Sequence, residues 1–523
     1  MGLSRRAAGA TVGTVSVLAM VTGCSTPEPE PLPTASPDAC LDGGLEARGA
    51  SRGGMVSTPD PDATRAACSV LAEGGTAADA VVAAQYVLGL PEPNYSGPGG
   101  GGLVIYHDAQ TGETASFDGT VYAPQDDASD DAVGVPQTDR LMDSLRRAHG
   151  VKSLAELTEP ARRLASDGFV VTERLAAAMD ARNGIFEELP AAGDVLTNPD
   201  YAEYLMELEP TEEPIEPSDP LCVDYQGHSV CGSHSTATGM MVVAEALGIL
   251  DRLDLARLTP VAGTARATAQ HLVMEAERIA FTDANTWMGD GTEGYVDQIV
   301  TDDGHLDDAA DSIRQKTTLS GLEPQDLDGL TGEYEDSDDQ GTSQVTVRDS
   351  AGSMATLTTT LQRSFGSGKQ ENGYFLNNSL DNFSADADPG DPNYREPGAH
   401  PRTMMSPVLV FDGDEPVMAL GSPGGRKIPS YVVKALVAMV DWNLRPVDAV
   451  DMPNFGATNR NSVYAARGGA EQKKMRGLLE EWGHDLEAGR FDSGLSVIRL
   501  RDDQVDGAAD HRRDGSVAGV DLG

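Results

Sequence analysis

Two threonines, Thr342 and Thr360, hold the placement in this sequence that suggests covalent chemistry. They bracket a segment that reads as a hairpin. Gly341-Thr342-Ser343-Gln344-Val345-Thr346-Val347-Arg348-Asp349 runs into Ser350-Ala351-Gly352, and Ser353 to Thr360 returns. A three-residue loop ending in glycine suits a type I turn closed by a left-handed bulge residue. Pairing Asp349 with Ser353 and counting outward sets Thr342 opposite Thr360. Threonines are ordinary strand residues, so on pattern alone the pair reads as strand surface. A threonine becomes chemically special when it begins a chain. Its α-amine, with a reference pKa of about 8, then serves as base for its own hydroxyl. Such a terminus requires scission of Gly341–Thr342, which the Thr342 hydroxyl can perform by attacking the Gly341 carbonyl, leaving an ester for water to open. Glycine before the bond removes steric bulk, and the Thr360 hydroxyl is placed to steady the nucleophile.

These residues need a scaffold. The spacing predicts helices over Pro61–Glu73, stopped by Gly74-Gly75, and over Ala77–Leu90, ended by Pro91 and Pro93. Gly97 to Gly102 leads into a strand over Leu103-Val104-Ile105-Tyr106. Without a following helix or lysine this glycine run is a weak phosphate cradle, and close backbone packing accounts for it better. Spaced apolar positions predict further helices over 153–167, 172–181, 239–247, 265–283 and 431–442. Glu207–Asp219 reads as a surface loop and Glu335–Gln340 as an acidic stretch. Helices bundled before a strand-rich half indicate sheets covered by helices, not a Rossmann alternation.

The chain has 523 residues, 38 basic against 83 acidic, for a formal charge of −45. That excess opposes nucleic-acid binding, because a phosphate backbone is repelled. Arg5 and Arg6 precede an apolar run ending in Val21-Thr22-Gly23-Cys24, which reads as an export signal over residues 1–23. Its ending is similar to the bacterial lipobox, making Cys24 the lipidated first residue of an exported, membrane-anchored form. Residues 24–45 read as a flexible tether. Export makes disulfides permissible. A turn at Gln226-Gly227 brings Cys222 opposite Cys231, and Cys40–Cys68 follows by elimination. No Cys-His cluster has zinc spacing, and no metal or cofactor is expected.

An ordered series of motifs extends from Gly53 to Gly519. It includes Gly53-Gly54-Met55-Val56, Glu73 to Ala80, the Gly97–Gly102 run, and Ala280-Phe281-Thr282-Asp283 with Trp287 to Asp290. It continues through Gly341-Thr342, Phe365-Gly366-Ser367, Leu376-Asn377-Asn378, Met405-Ser406-Pro407, Gly421-Ser422-Pro423-Gly424-Gly425, Asp448 to Pro453 and Asp510 to Gly515. In this the chain resembles the γ-glutamyltransferase (glutathione hydrolase) family of N-terminal-nucleophile hydrolases. The resemblance implies an α+β fold, a four-layer αββα sandwich. It also implies autocleavage between Gly341 and Thr342, into a large part over 46–341 and a small part over 342–523 that stay associated as one globular unit. It makes Thr342 the nucleophile, Thr360 its hydroxyl partner, and Gly424 and Gly425 the oxyanion-stabilising amides, where glycines let the backbone approach and N–H groups meet developing charge.

The departures concern the donor pocket. Thr120 stands where the family has the arginine that holds a donor carboxylate. Ser379 and Asn382 stand for an acid or amide and an aspartate, and Thr403 and Met404 for two serines. Gln362 replaces an asparagine and Gln344 a histidine. A lost arginine–carboxylate contact weakens donor recognition unless another cation substitutes. Arg363, Arg402, Arg426 and Lys427 lie near these motifs, beside the plainer reading of exposed charge on an acidic protein. The segment 386–400 is shorter than the family's lid, which implies a more open site. The expected activity is cleavage of γ-glutamyl amides such as glutathione, with transfer of the acyl group to water or an amine. The alternatives are the same chemistry on another acyl donor, as in cephalosporin acylases, or on a poly-γ-glutamyl substrate. A reading of another class is a non-catalytic binding lipoprotein on this scaffold.

Overall fold

A computed structural model describes residues 40, 46–125, 131–186, 188–234, 236–258, 264–290, 295–327, 341–385, 387–487, 489, 491–502 and 504–521. The signal segment, Cys24, most of the tether and the Glu335–Gln340 stretch lie outside them. Among the described residues no helix is long and apolar enough to cross a membrane.

Thirteen strands build the two main sheets. In chain order they are β1 (Arg48–Ser51), β2 (Gly54–Thr58), β3 (Gly101–His107), β4 (Thr114–Gly119), β5 (Leu221–Tyr225), β6 (His228–Gly232), β7 (Gly341–Arg348), β8 (Met354–Gln362), β9 (Val408–Asp412), β10 (Glu415–Gly421), β11 (Ser496–Arg501), β12 (Gln504–Ala509) and β13 (Ser516–Val520). A six-stranded sheet runs β13-β2-β7-β8-β3-β4, and a seven-stranded sheet runs β1-β12-β11-β10-β9-β6-β5. Every pairing is antiparallel. Each sheet mixes strands from before and after Thr342, so the two stretches share one body.

Helices cover both outer faces. The six-stranded sheet packs on α1 (Pro61–Ala72), α2 (Ala77–Leu88), α3 (Thr138–His149) and α4 (Leu154–Asp167), through Val104, Phe117, Val345, Val347 and Leu357. The seven-stranded sheet packs on α5 (Thr238–Asp251), α6 (Thr264–Trp287) and α7 (Ile428–Val440), through Val230, Val408, Leu420 and Val497. The fold is thus the expected α+β, four-layer αββα sandwich. Local chemistry starts these helices: Asp60 accepts from the Asp62 and Ala63 amides ahead of α1, and Thr76 with Asp79 forms a capping box on α2. Helix α3 is not foreshadowed by the sequence pattern, because its apolar stripe is short and followed by Arg146, Arg147 and His149.

Strand alternation separates two environments. Val345, Val347, Ala355 and Leu357 face the helices, whereas Thr342, Gln344, Thr346, Thr356, Thr358 and Thr360 share the opposite face. Two small apolar clusters fill the space between the sheets, one around Ile105, Met354 and Leu409 and one around Met55, Ile498 and Val517. The remainder is a hydroxyl lattice. Gln344 accepts from Thr358 at 2.6 Å and donates to Thr356 at 2.8 Å, and Ser496 donates to the Ser57 carbonyl at 2.7 Å. Cys222 pairs with Cys231 across the β5–β6 hairpin, and the disulfides are Cys222–Cys231 and Cys40–Cys68.

Candidate active site

The β7–β8 register sets Thr342 directly opposite Thr360, and the ladder then shifts so that Gly341 faces Gln362. Gln362 turns into the left-handed region at φ 76°, and its amide donates to the Thr360 hydroxyl at 2.8 Å. This bulge aims the Thr360 side chain at the Gly341–Thr342 bond. Thr360 Oγ1 donates to the Gly341 carbonyl, and Thr342 Oγ1 lies 3.4 Å from Thr360 Oγ1. Both threonines are buried. A Cβ at position 341 would come 2.7 Å from the Arg363 backbone, so glycine is needed there for close approach. The same reason explains the glycine run: a Cβ on Gly100 would lie 2.2 Å from the Thr360 carbonyl oxygen.

Gly424 and Gly425 follow the end of β10. Both have positive φ, 149° and 59°, and a Cβ on Gly424 would meet the Tyr431 ring at 2.5 Å. Among the described residues neither amide donates a hydrogen bond, which leaves two N–H groups for a ligand. Contacts link this loop to Thr342. Gly494 packs against both Pro423 and Arg513, and Arg513 Nη1 donates to the Thr342 carbonyl at 3.4 Å. Arg513 and Arg174 both stack over Tyr95. Arg174 pairs with buried Glu92, which also accepts from Ser343. Burial, with Arg513 nearby, brings the Arg174 guanidinium down to about 10. At the far end of the hairpin Asp349 accepts from the Ala77, Ala351 and Ser353 amides, and burial raises its carboxyl to about 6. Nothing in the local sequence around Arg513, Glu92 or Asp349 marks them for the site, although Arg513 sits within the Asp510–Gly515 motif.

A narrow cavity of about 20 Å³, room for roughly one water, lies beside Thr360. Its walls are Gly101, Thr120, Val121, Thr360, Ser379, Asn382, Pro401, Arg402, Thr403 and Met405. Thr120, Ser379, Asn382 and Thr403 are therefore brought together. Thr120 hydrogen-bonds Asp118 and His400, at 2.6 and 3.0 Å. Gln362 is not on the wall but holds Asn382 through a 2.9 Å hydrogen bond. Met404 is not on the wall: both Met404 and Met405 belong to the core packed on the seven-stranded sheet, and Met405 is the one that also lines the cavity. The backbone explains this, since the Met404 carbonyl packs where Gly239 leaves no side chain. Gln344 belongs to the inter-sheet lattice. Asp386 lies outside the described residues. From the rest of the expected lid segment, Asn393 packs down on the cavity wall, donating to the Asn382 carbonyl at 2.8 Å.

A more spacious cavity, about 540 Å³, lies between α1 and α4 and includes none of these residues. Two groups in the other helical layer hold ligand atoms close enough to share an ion: His271, Glu275 and His484, and Glu245, Asp283 and His305. Each is knit by its own hydrogen bonds. His271 meets His484 at 2.7 Å, Glu275 binds Arg278, and Tyr295 and His305 hold Glu245.

The family model described as Gamma-glutamyltranspeptidase matches residues 63–214 and 184–520. The chain is 27% identical over 554 residues to the glutathione hydrolase proenzyme of Bacillus subtilis (strain 168), covering 90% of this chain and 92% of that one. It is 26% identical over 543 residues to the acylase ACY 1 proenzyme of Pseudomonas sp. (strain V22), covering 90% and 94%. Among solved structures, the cephalosporin acylase from Bacillus halodurans superposes with a TM-score of 0.78 at 20% identity, over 96% of this chain and 100% of that one.

Proposed function

This chain belongs to the gamma-glutamyltranspeptidase family, and on that premise we propose that it is a self-processing amidohydrolase or acyltransferase whose nucleophile is Thr342. Enzymatic amide chemistry of the transpeptidase or acylase type follows from the family; the particular residues and donor are our reading. The observation that carries it is the hydrogen bond from Thr360 to the Gly341 carbonyl, with the Thr342 hydroxyl alongside.

In the uncut chain, donation from Thr360 withdraws electron density from the Gly341 carbonyl as Thr342 Oγ1 attacks it. The resulting ester is opened by water, and Thr342 gains a free α-amine. That amine then takes the hydroxyl proton as Thr342 attacks a substrate amide, and returns it to the departing amine. Gly424 and Gly425 offer two amides to the oxyanion. Water or an amine acceptor releases the acyl group. The donor is a small acyl amide, with γ-glutamyl amides as the first candidate given the glutathione hydrolases among the relatives. Because each sheet mixes strands from both sides of the cut, the two fragments stay together.

Electrophoresis of purified protein should give two fragments ending and beginning at Gly341 and Thr342, and Thr342→Ala should give one intact band. Persistence of two fragments in that variant would exclude Thr342. A single band in the wild type would favour the binding-protein reading.

We also propose export with lipidation at Cys24, supported by two disulfides that suit an oxidising compartment. Cys24→Ala should abolish partition into detergent; unchanged partition would exclude the anchor.

A further inference from the structure

Lys434, on α7, is fully buried, and among the described residues no carboxylate pairs with it. Burial, with Arg512 nearby, pulls its ammonium down to about 7. A methionine of similar length would fill this place without burying a polar group, so what the amine contributes is its hydrogen bonds. Nζ donates to Asn454 Oδ1 at 2.7 Å and to the Met452 carbonyl at 3.3 Å. Asn454, also fully buried, turns Nδ2 to the Phe491 carbonyl at 2.7 Å and to Ser493 Oγ at 3.2 Å.

At Ser493 the chain of bonds forks. One arm is the Ser493 hydroxyl, which donates to the Asp510 carboxylate. Asp510 also accepts from the Arg512 amide at 3.0 Å and from Arg512 Nε at 2.6 Å, and its carbonyl accepts from the Arg513 amide at 3.0 Å. These bonds shape the turn that carries Arg513 to the Thr342 carbonyl. The other arm is Gly494, whose amide donates to Ser422 Oγ at 3.2 Å and where a Cβ would lie 2.3 Å from Pro423. Ser422 and Pro423 lead directly into Gly424 and Gly425. One buried amine thus stands behind both the two-glycine loop and Arg513.

Resting on Thr342 as nucleophile and on Gly424 and Gly425 as oxyanion donors, we propose that Lys434, acting through Asn454, is a positioning residue for substrate turnover. It holds the 491–494 segment, and that segment sets the place of the oxyanion loop and of the Arg513 turn. Oxyanion donors work only when they are already aimed at the developing charge, so a small displacement of the loop lowers the rate. Self-cleavage relies on a different donor, Thr360, which the bulge at Gln362 aims from within the β7–β8 hairpin. The network behind Lys434 therefore serves the second reaction and leaves the first to the hairpin.

Two variants test this. Lys434→Met keeps the volume and removes the amine. Asn454→Asp keeps a partner for the amine, now in an ion pair, but removes the donor to Phe491 and Ser493. Turnover is read on the p-nitroanilide of L-γ-glutamate or of glutarate, whichever the wild type cleaves faster, and normalised to the processed fraction seen on a gel. In each variant kcat should fall by about tenfold to a hundredfold, with KM and the rate of self-cleavage within about twofold of wild type. The double variant should be no slower than the slower single one, because the two residues are links of one chain. Unchanged kcat in Asn454→Asp overturns the proposal, as does an equal fall in self-cleavage and turnover, which marks a general folding role. Absence of processing in the wild type, or turnover that survives Thr342→Ala or is untouched by Gly424→Ala, defeats the underlying reading instead. If Lys434→Met does not fold, hydrogen exchange in Asn454→Asp decides. Exchange over 421–427 and 510–515 should quicken by about tenfold while 342–348 keeps its wild-type rate, and unchanged exchange in the first two segments overturns the assignment.

Discussion

Thr360 lies across the ladder from Thr342 yet gives its hydroxyl proton to the carbonyl of Gly341, the residue before it. This offset exists because the strand bulges at Gln362, which breaks the regular pairing just past Thr360. One hydroxyl thereby addresses the Gly341–Thr342 bond while remaining beside the Thr342 hydroxyl. An unbulged hairpin would keep the pair but leave the Gly341 carbonyl in a standard ladder bond.

Replacing Thr360 by valine keeps the shape and removes the donor. Self-cleavage should slow by about a hundredfold to a thousandfold, in line with loss of one oxyanion-type donor, while Thr360→Ser retains most of the rate. Time courses of fragment appearance after refolding or translation check this. A valine variant that cleaves at the wild-type rate would remove Thr360 from the mechanism.

Gly424→Ala introduces a Cβ within 2.5 Å of the Tyr431 ring at φ 149°, so the loop must shift and carry its amides with it. Amide hydrolysis should fall by about two orders of magnitude, in kcat more than in KM. Equal kcat in the variant would argue against an oxyanion role for this loop.

Arg513 bears on pH dependence. Its guanidinium donates to the Thr342 carbonyl, and a cation that close disfavours protonation of the α-amine created by cleavage. Arg513→Met should therefore move the acidic limb of the kcat/KM profile to higher pH, by about one unit. A limb that stays put would mean the amine does not sense this charge.

Buried carboxyls make stability pH-dependent in an unusual direction. Burial raises Asp60 to about 7, Glu245 to about 7 and Glu277 to about 8. Unfolded, these groups titrate near 4. Between roughly pH 4 and 8 the native state therefore holds more protons than the unfolded chain, and stability falls as pH rises. The formal charge of −45 acts in the same sense through self-repulsion. Thermal midpoints should be a few degrees higher at pH 5.5 than at pH 8, roughly 2–5 °C. Glu277→Gln, which keeps an acceptor for the Ala457 amide, should flatten the slope. A midpoint rising with pH would show that other groups dominate.

What was legible in the sequence is local or one-dimensional. Register along the β7–β8 hairpin follows from the loop at Ser350-Ala351-Gly352, because side chains in paired strands keep a two-residue period. The same arithmetic holds for Cys222 and Cys231. Helix starts at Asp60 and Thr76 depend on side chains a few residues from the amides they cap. The glycine run before β3 also announced close packing, though not against which backbone. Tertiary structure decided the rest. The bulge at Gln362, the inward turn of Met404, and the meeting of Arg402 with Thr120 and Thr360 depend on how separate segments fill one volume. Arg402 and Thr120 are far apart in the chain, and nothing in the spacing of either distinguishes a buried arginine from one of many surface charges. Only the packing of the 378–382 turn, the 393–403 segment and the end of α6 around one small cavity gives that arginine its environment, because burial and partners are properties of the assembled layers and not of any one strand or helix.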